Sequence, residues 1–223
     1  MEEEGEEVMT VNIHQGCSLE AMKSMKDNQY DLAVVDPPYF KDFGHKNYTG
    51  PDFSTTGVKR QHQKFNHWKV PSAVYFKELL RISKNQIIWG VNYYSQYVPH
   101  VGRIIWDKRN DTSTFSKCEI ASHSYGVRVD QFRYRWNGMI QEDMKNKDKR
   151  IHPCQKPVAL YHWIYEKYVS PGMKILDTHL GSGSSAIAAW DCGLDFDGWE
   201  LDVEYHAGAV TRYQEHIRQL KLF

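Results

Sequence analysis

Lys174-Ile175-Leu176-Asp177-Thr178-His179-Leu180-Gly181-Ser182-Gly183-Ser184-Ser185 is the stretch on which the fold turns. Met173 to Asp177 has strand character, Gly181-Ser182-Gly183 is a tight turn of small residues, and Ser184 to Trp190 reads as a helix. A strand, a small-residue turn and a helix N-terminus in that order let a ligand approach the backbone closely. Such a turn alone as often only packs a helix on a sheet. Here a second strand, Phe196 to Glu200, ends in an acidic residue about 20 positions on, where a carboxylate can hydrogen-bond ribose hydroxyls. The pattern points to a nucleoside-containing cofactor without choosing between NAD and S-adenosylmethionine (AdoMet).

Working outward, Glu204 to Leu222 reads as a closing helix, and Gln155 to Val169 as a helix with Pro157 in its first turn. Strands are expected at residues 10–16, Tyr30 to Val35, Gln86 to Val91, Arg103 to Trp106, Glu119 to Tyr125 and Gln131 to Trp136, the last in an antiparallel hairpin. Ser18 can cap a short helix through Met25, and Pro71 to Lys84 carries apolar residues at helical spacing. Strand and helix alternate for most of the chain. The expected fold is α/β: a mostly parallel sheet with helices on both faces, and a binding crevice beyond the carboxyl ends of the strands.

The 223 residues suit one domain, and the net charge of zero excludes a polycation. No apolar run approaches the roughly 18 residues of a membrane span. Met1 to Val8 reads as an acidic solvated tail rather than a signal peptide. Cys17, Cys118, Cys154 and Cys192 are too scattered for a zinc pattern, so free thiols in a reducing cytoplasm and no metal are expected.

Asp36-Pro37-Pro38-Tyr39 follows directly on the apolar run Tyr30–Val35. Two prolines in series cannot continue a central strand, so the chain turns here, at the same crevice as the glycine turn. The exocyclic amino group of adenine or cytosine is a poor nucleophile, because its lone pair is delocalised into the ring. Hydrogen bonds from that amino group to the Asp36 carboxylate and the Pro37 carbonyl would localise the lone pair. Tyr39 offers a flat face for a base extruded from the duplex.

Asp36-Pro37-Pro38-Tyr39, then His152-Pro153-Cys154-Gln155-Lys156-Pro157, then Leu176-Asp177-Thr178-His179-Leu180-Gly181-Ser182-Gly183-Ser184, resembles the DNA amino-methyltransferases over essentially Val11 to Arg212. The permuted order, with the catalytic motif first, resembles their beta group, and the tract from Trp136 to Lys156 looks like small phage-type methylases. The resemblance implies an AdoMet-dependent, Rossmann-like methyltransferase fold and a bacterial or phage-infected cytoplasm. It implies that Asp36, Pro37, Pro38 and Tyr39 act on the target base. It implies that Asp36, Asp177, Thr178, His179, Leu180, Gly181, Ser182, Gly183 and Ser184 line the AdoMet pocket. Glu200 would then hold the ribose, Trp199 and Leu201 would flank the adenine, and His152, Gln155 and Lys156 would pack over the methionine moiety. Cys17 stands where the family usually has aspartate and would offer backbone contacts alone. Asp177-Thr178-His179 likewise replaces the usual Asp-Pro-Phe.

DNA is the expected partner, recognised through two lysine-rich loops, 41–69 and 137–151, which carry Lys41, Lys46, Lys59, Arg60, Lys64, Lys145, Lys147, Lys149 and Arg150. Asp-Pro-Pro-Tyr leans toward adenine N6, whereas Ser-Pro-Pro-Tyr leans toward cytosine N4. Cytosine N4, RNA as substrate, a non-catalytic DNA-binding subunit, a restriction partner and a homodimer all stay open at this point.

Overall fold

The computed structural model describes residues 9–39, 70–111, 116–137 and 140–220. The strands of its main sheet are β1 (Val11–Gln15), β2 (Tyr30–Val35), β3 (Ser83–Trp89), β4 (Gly102–Asp107), β5 (Cys118–His123), β6 (Val129–Arg133), β9 (Lys174–Asp177) and β10 (Asp195–Glu200). These eight lie in the order β1-β10-β9-β2-β3-β5-β4-β6, while β7 (Trp136–Asn137) and β8 (Ile140–Gln141) form a small separate pair. The helices are α1 (Ser18–Ser24), α2 (Ala73–Ile82), α3 (Val91–Tyr94), α4 (Val158–Tyr168), α5 (Ser184–Asp191) and α6 (Val203–Leu220).

Strand β2 shows why the sheet is covered twice. Its residues alternate between faces: Leu32 and Val34 join the core formed with Leu160 and Ile164 of α4 and Ala186 of α5, while Ala33 and Val35 join that formed with Phe76 and Leu79 of α2. A strand buried on both sides must be apolar throughout, which is what Tyr30–Val35 is apart from Asp31, near its start. Asp31 is satisfied there by Lys84 and the Lys174 amide.

Strands β2 and β9 lie side by side in parallel, Leu32 opposite Ile175. From β9 the chain winds outward through α5 to β10, and from β2 through α2 to β3, so the winding reverses between these two strands. That reversal opens a crevice at their carboxyl ends, and those ends are Val35, before Asp36, and Asp177, before Thr178.

Several expectations are corrected. Val129–Arg133 forms no hairpin with its predecessor: β6 pairs in parallel with β4. The antiparallel strand is β5, inserted between β3 and β4. The antiparallel hairpin of β7 with β8 sits at the start of the expected loop 137–151. The strand expected to reach Val91 ends at Trp89, because Gly90 adopts a left-handed φ of 72° and opens α3. The helix expected from Gln155 begins only at Val158, because Pro157 is its extended N-cap. Likewise Cys17 rather than Ser18 is the N-cap of α1. The four cysteines are free, and no described helix is long and apolar enough to cross a membrane.

Candidate active site

A cavity of about 930 Å³ occupies the crevice. Asp36, Pro37, Pro38 and Tyr39 line one side of it, and Thr178, His179, Leu180, Gly181, Ser182 and Ser184 another. Cys17, Glu200 and Leu201 close one end, and His152, Gln155 and Lys156 lie across from them on the segment before α4. Three motifs far apart in the sequence thus meet around one space.

The glycine turn is shaped by backbone conformation. Gly181 and Gly183 have φ of 55° and 77°, in the left-handed region that side chains disfavour. A Cβ on Gly183 would press against Ala209 of α6 at 3.3 Å. Glu200 secures the turn from the next strand: its two oxygens accept from the Gly181 and Asp202 amides, each at 2.8 Å. Burial pushes its carboxyl above the ordinary value.

Two residues expected on the cavity lie beneath it. Asp177 is fully buried, accepts from the His179 amide at 2.9 Å and the Ser185 hydroxyl at 2.6 Å, and is pushed up to about 7 by burial. It braces the turn rather than lining the cavity, as does Gly183. Trp199 is also turned away, stacked on His14 at 4.3 Å.

The Asp-Pro-Pro-Tyr turn is held from α3. Tyr94 donates its hydroxyl to the carbonyls of Pro37, at 3.1 Å, and Pro38. Tyr93 stacks on Tyr39 with ring centroids 4.7 Å apart and planes 3° from parallel. A Cβ on Gly90 would fall 2.6 Å from the Tyr39 ring, so glycine is required there for the turn to dock. Tyr75 of α2 reaches in from the other side and shares a 2.6 Å hydrogen bond with Thr178. These tyrosines escaped the sequence reading because an aromatic in an apolar pattern looks the same in a core and at a site.

Lys156 departs most from expectation. It lines the cavity, but its ammonium group, on a side chain only 3% exposed, pairs with Asp36 Oδ2 and lies 3.0 Å from Glu119 Oε2. Glu119 pairs in turn with Lys108. Burial opposes the charge on Lys156, but Asp36 and Glu119 outweigh it and hold the amine above its usual range. Burial would raise Glu119, but Lys156 and Lys108 prevail and bring it down to about 2. For Asp36 burial prevails over Lys156 and pushes the carboxyl up.

His152 and His179, both on the cavity, are brought down to about 3 and about 4, chiefly by burial, so their rings are neutral. Gln155 is spent locally, accepting from the Ile151 amide and donating to the Lys149 carbonyl. Lys145, Lys147 and Lys149 are exposed on the stretch leading into His152, whereas Arg150 lies over the Trp136 ring and donates to the Pro153 carbonyl. Lys41, Lys46, Lys59, Arg60 and Lys64 lie outside the described residues. Among the described residues no cluster of His, Cys, Asp and Glu could hold a metal ion.

Residues 127–211 match a family model described as DNA methylase (N6_N4_Mtase). The chain is similar to the type II methyltransferase M.HinfI of Haemophilus influenzae, 25% identical over a 246-residue alignment that spans 91% of this chain and 68% of that one. Its fold is similar to that of TTHA0409, a DNA modification methylase from Thermus thermophilus solved with S-adenosyl-L-methionine (TM-score 0.59, 14% identity, covering 93% of this chain and 95% of that one). It is also similar to that of the cytosine-N4-specific PvuII DNA methyltransferase (TM-score 0.57, 12% identity, 95% and 92%). Motif order, sheet topology and these matches together make the chain a member of the N6/N4 DNA methylase family.

Proposed function

We propose that this chain transfers a methyl group from AdoMet to the exocyclic amino group of a base in DNA, with adenine N6 as the acceptor. The observation that carries the reading is the state of Asp36: Oδ2 is committed to Lys156, while Oδ1, buried at the cavity, has no hydrogen-bond partner among the described residues. A buried acceptor of this kind is costly unless something fills it, and an amino hydrogen of an entering base is the complementary group.

The cavity suits a nucleoside cofactor. Glu200 keeps lone pairs beyond its two backbone bonds for ribose hydroxyls, and the left-handed glycines let the backbone approach. Bound AdoMet supplies a methyl group on a positively charged sulfur. Asp36 Oδ1 and the carbonyl of the proline turn accept the two amino hydrogens and draw the nitrogen lone pair out of the ring. That lone pair forms the N–C bond as the C–S bond breaks toward sulfur, and the displaced amino proton has Asp36 as its nearest acceptor. Tyr94 fixes the proline carbonyls, and Tyr39, backed by Tyr93, offers its ring to the base. Much of the rate enhancement is then positioning. Asp36 in place of serine favours adenine N6 over cytosine N4.

The test is label transfer from isotopically labelled AdoMet into unmethylated DNA, with RNA in parallel. Label is expected in DNA with the native chain and none with Asp36→Ala, which should still bind AdoMet. Label confined to RNA, or equal label from both proteins, would overturn the reading.

A further inference from the structure

Lys108, Glu119, Lys156 and Asp36 form an unbroken series of ion pairs running from beyond the end of β4, through β5, to the catalytic turn. Its members come from four separate parts of the chain. Because β5 is antiparallel to its neighbours, its first residues lie at the edge of the sheet where β3 and β4 end. Glu119, opposite Trp106, therefore faces the crevice although it begins its strand. Neither Lys108 nor Glu119 lines the cavity. Their side chains are only 16% and 20% exposed, and the series contains two cations and two anions.

Taking charges out of water is costly, and a buried carboxylate lacking compensation takes up a proton instead. A protonated Asp36 would present a hydroxyl or a weak carbonyl to the amino group and could not localise its lone pair. Lys156 alone cannot prevent this, because it is shared with Glu119. We propose that Lys108 and Glu119 are positioning residues that act through Lys156: Lys108 neutralises Glu119, which frees Lys156 to keep Asp36 a charged acceptor with Oδ1 turned to the base. The inference rests on the reading that Asp36 receives the amino group.

The other groups facing Asp36 support this assignment. Asp177 of β9 adds a negative charge when it ionises, which makes compensation by Lys156 more necessary. Tyr39, Tyr75 of α2, Tyr94 of α3, Tyr161 of α4 and Cys154 are all held neutral by burial. None of them can replace the lysines.

The experiment follows the Asp36 carboxyl directly. Aspartate Cγ is labelled with carbon-13 in the chain without AdoMet or DNA, the Asp36 signal is assigned by its loss in Asp36→Asn, and its titration is recorded. Lys108→Met should raise the midpoint by about 1 pH unit or more, as expected for two carboxylates sharing one cation. Lys108→Arg should leave it unchanged, and Lys108→Met with Glu119→Gln, which removes one charge of each sign, should bring it back toward the native value. The acid limb of kcat should move with the midpoint while the Kd for AdoMet stays within about twofold, a difference of under 1 kcal/mol. If Lys108→Met fails to fold, Lys108→Gln is read in the same way. An unmoved midpoint, or a double variant displaced further than the single one, would overturn the proposal. Because the titration needs neither cofactor nor DNA, its failure would count against the charge series alone, whereas absence of methyl transfer by the native chain would count against the assigned reaction.

Discussion

Asp36 and its surroundings show how much one residue depends on partners remote in sequence. Its backbone lies in a turn that only Gly90 allows to dock, and its carboxyl is held by Lys156. Gly90→Ala should cost roughly 1–2 kcal/mol for the left-handed backbone alone and displace Tyr39 as well. Urea unfolding should register the first effect, and a fall in kcat beyond any change in the Kd for AdoMet the second. Unaltered activity would mean that the Tyr39 stack plays no part in the reaction. Lys156→Met leaves Asp36 and Glu119 buried without their shared cation and should destabilise the fold by about 3–5 kcal/mol. Asp36 itself was legible, because an acid followed by two prolines at the end of an apolar strand has few structural explanations. Glu119 and Lys108 were not. Each is an ordinary charged residue near a strand end, and only the direction of β5 brings them to the crevice.

Among the elements, the turn between β9 and α5 combines two requirements, a left-handed backbone and close packing on α6. Gly193, just past α5, shares the first without the second: its φ is 67° and nothing lies within 4 Å of a Cβ placed there. Comparison of Gly183→Ala with Gly193→Ala should therefore separate the two. Both are expected to lose about 1–2 kcal/mol from backbone strain, with a further loss for Gly183→Ala, and equal losses would show that Ala209 yields without cost. The elements of the parallel half were read well because each has one period and its own stop signal. The β4–β6 region was misread because alternating polarity reveals a half-buried strand without revealing the direction of its partner. A two-residue strand such as β8 leaves almost no pattern at all.

For the molecule as a whole, the same burial that shapes the cavity couples its stability to pH. His152 and His179 have native values of about 3 and about 4, below the ordinary 6.5. Between those values and 6.5 the unfolded chain binds protons that the native chain does not, so both histidines make stability fall as pH drops through that window. The raised carboxyl of Asp177, at about 7, works oppositely: the native state retains its proton, and stability falls as pH rises from about 4 toward 7. The histidine contribution is best read as a difference. Relative to His152→Gln with His179→Gln, the native chain should lose at most on the order of 1 kcal/mol per pH unit for each ring on acidification from about 6.5 to about 5. Chemical denaturation at stepped pH would measure it, and parallel curves would show that neither ring is held neutral. The overall architecture was legible from the alternation of strand and helix. The position of the crevice followed from the two interruptions, Asp36-Pro37-Pro38-Tyr39 and Gly181-Ser182-Gly183, each coming after an apolar strand.

Identification of the modified nucleoside tests the central claim most directly. DNA is incubated with the native chain and labelled AdoMet and digested to nucleosides, which are then separated. The account requires the label in N6-methyladenine and its absence when Asp36→Ala replaces the native chain. Label in N4-methylcytosine would contradict the choice of base while leaving the Asp36 chemistry in place, and DNA without label would contradict the assigned reaction itself.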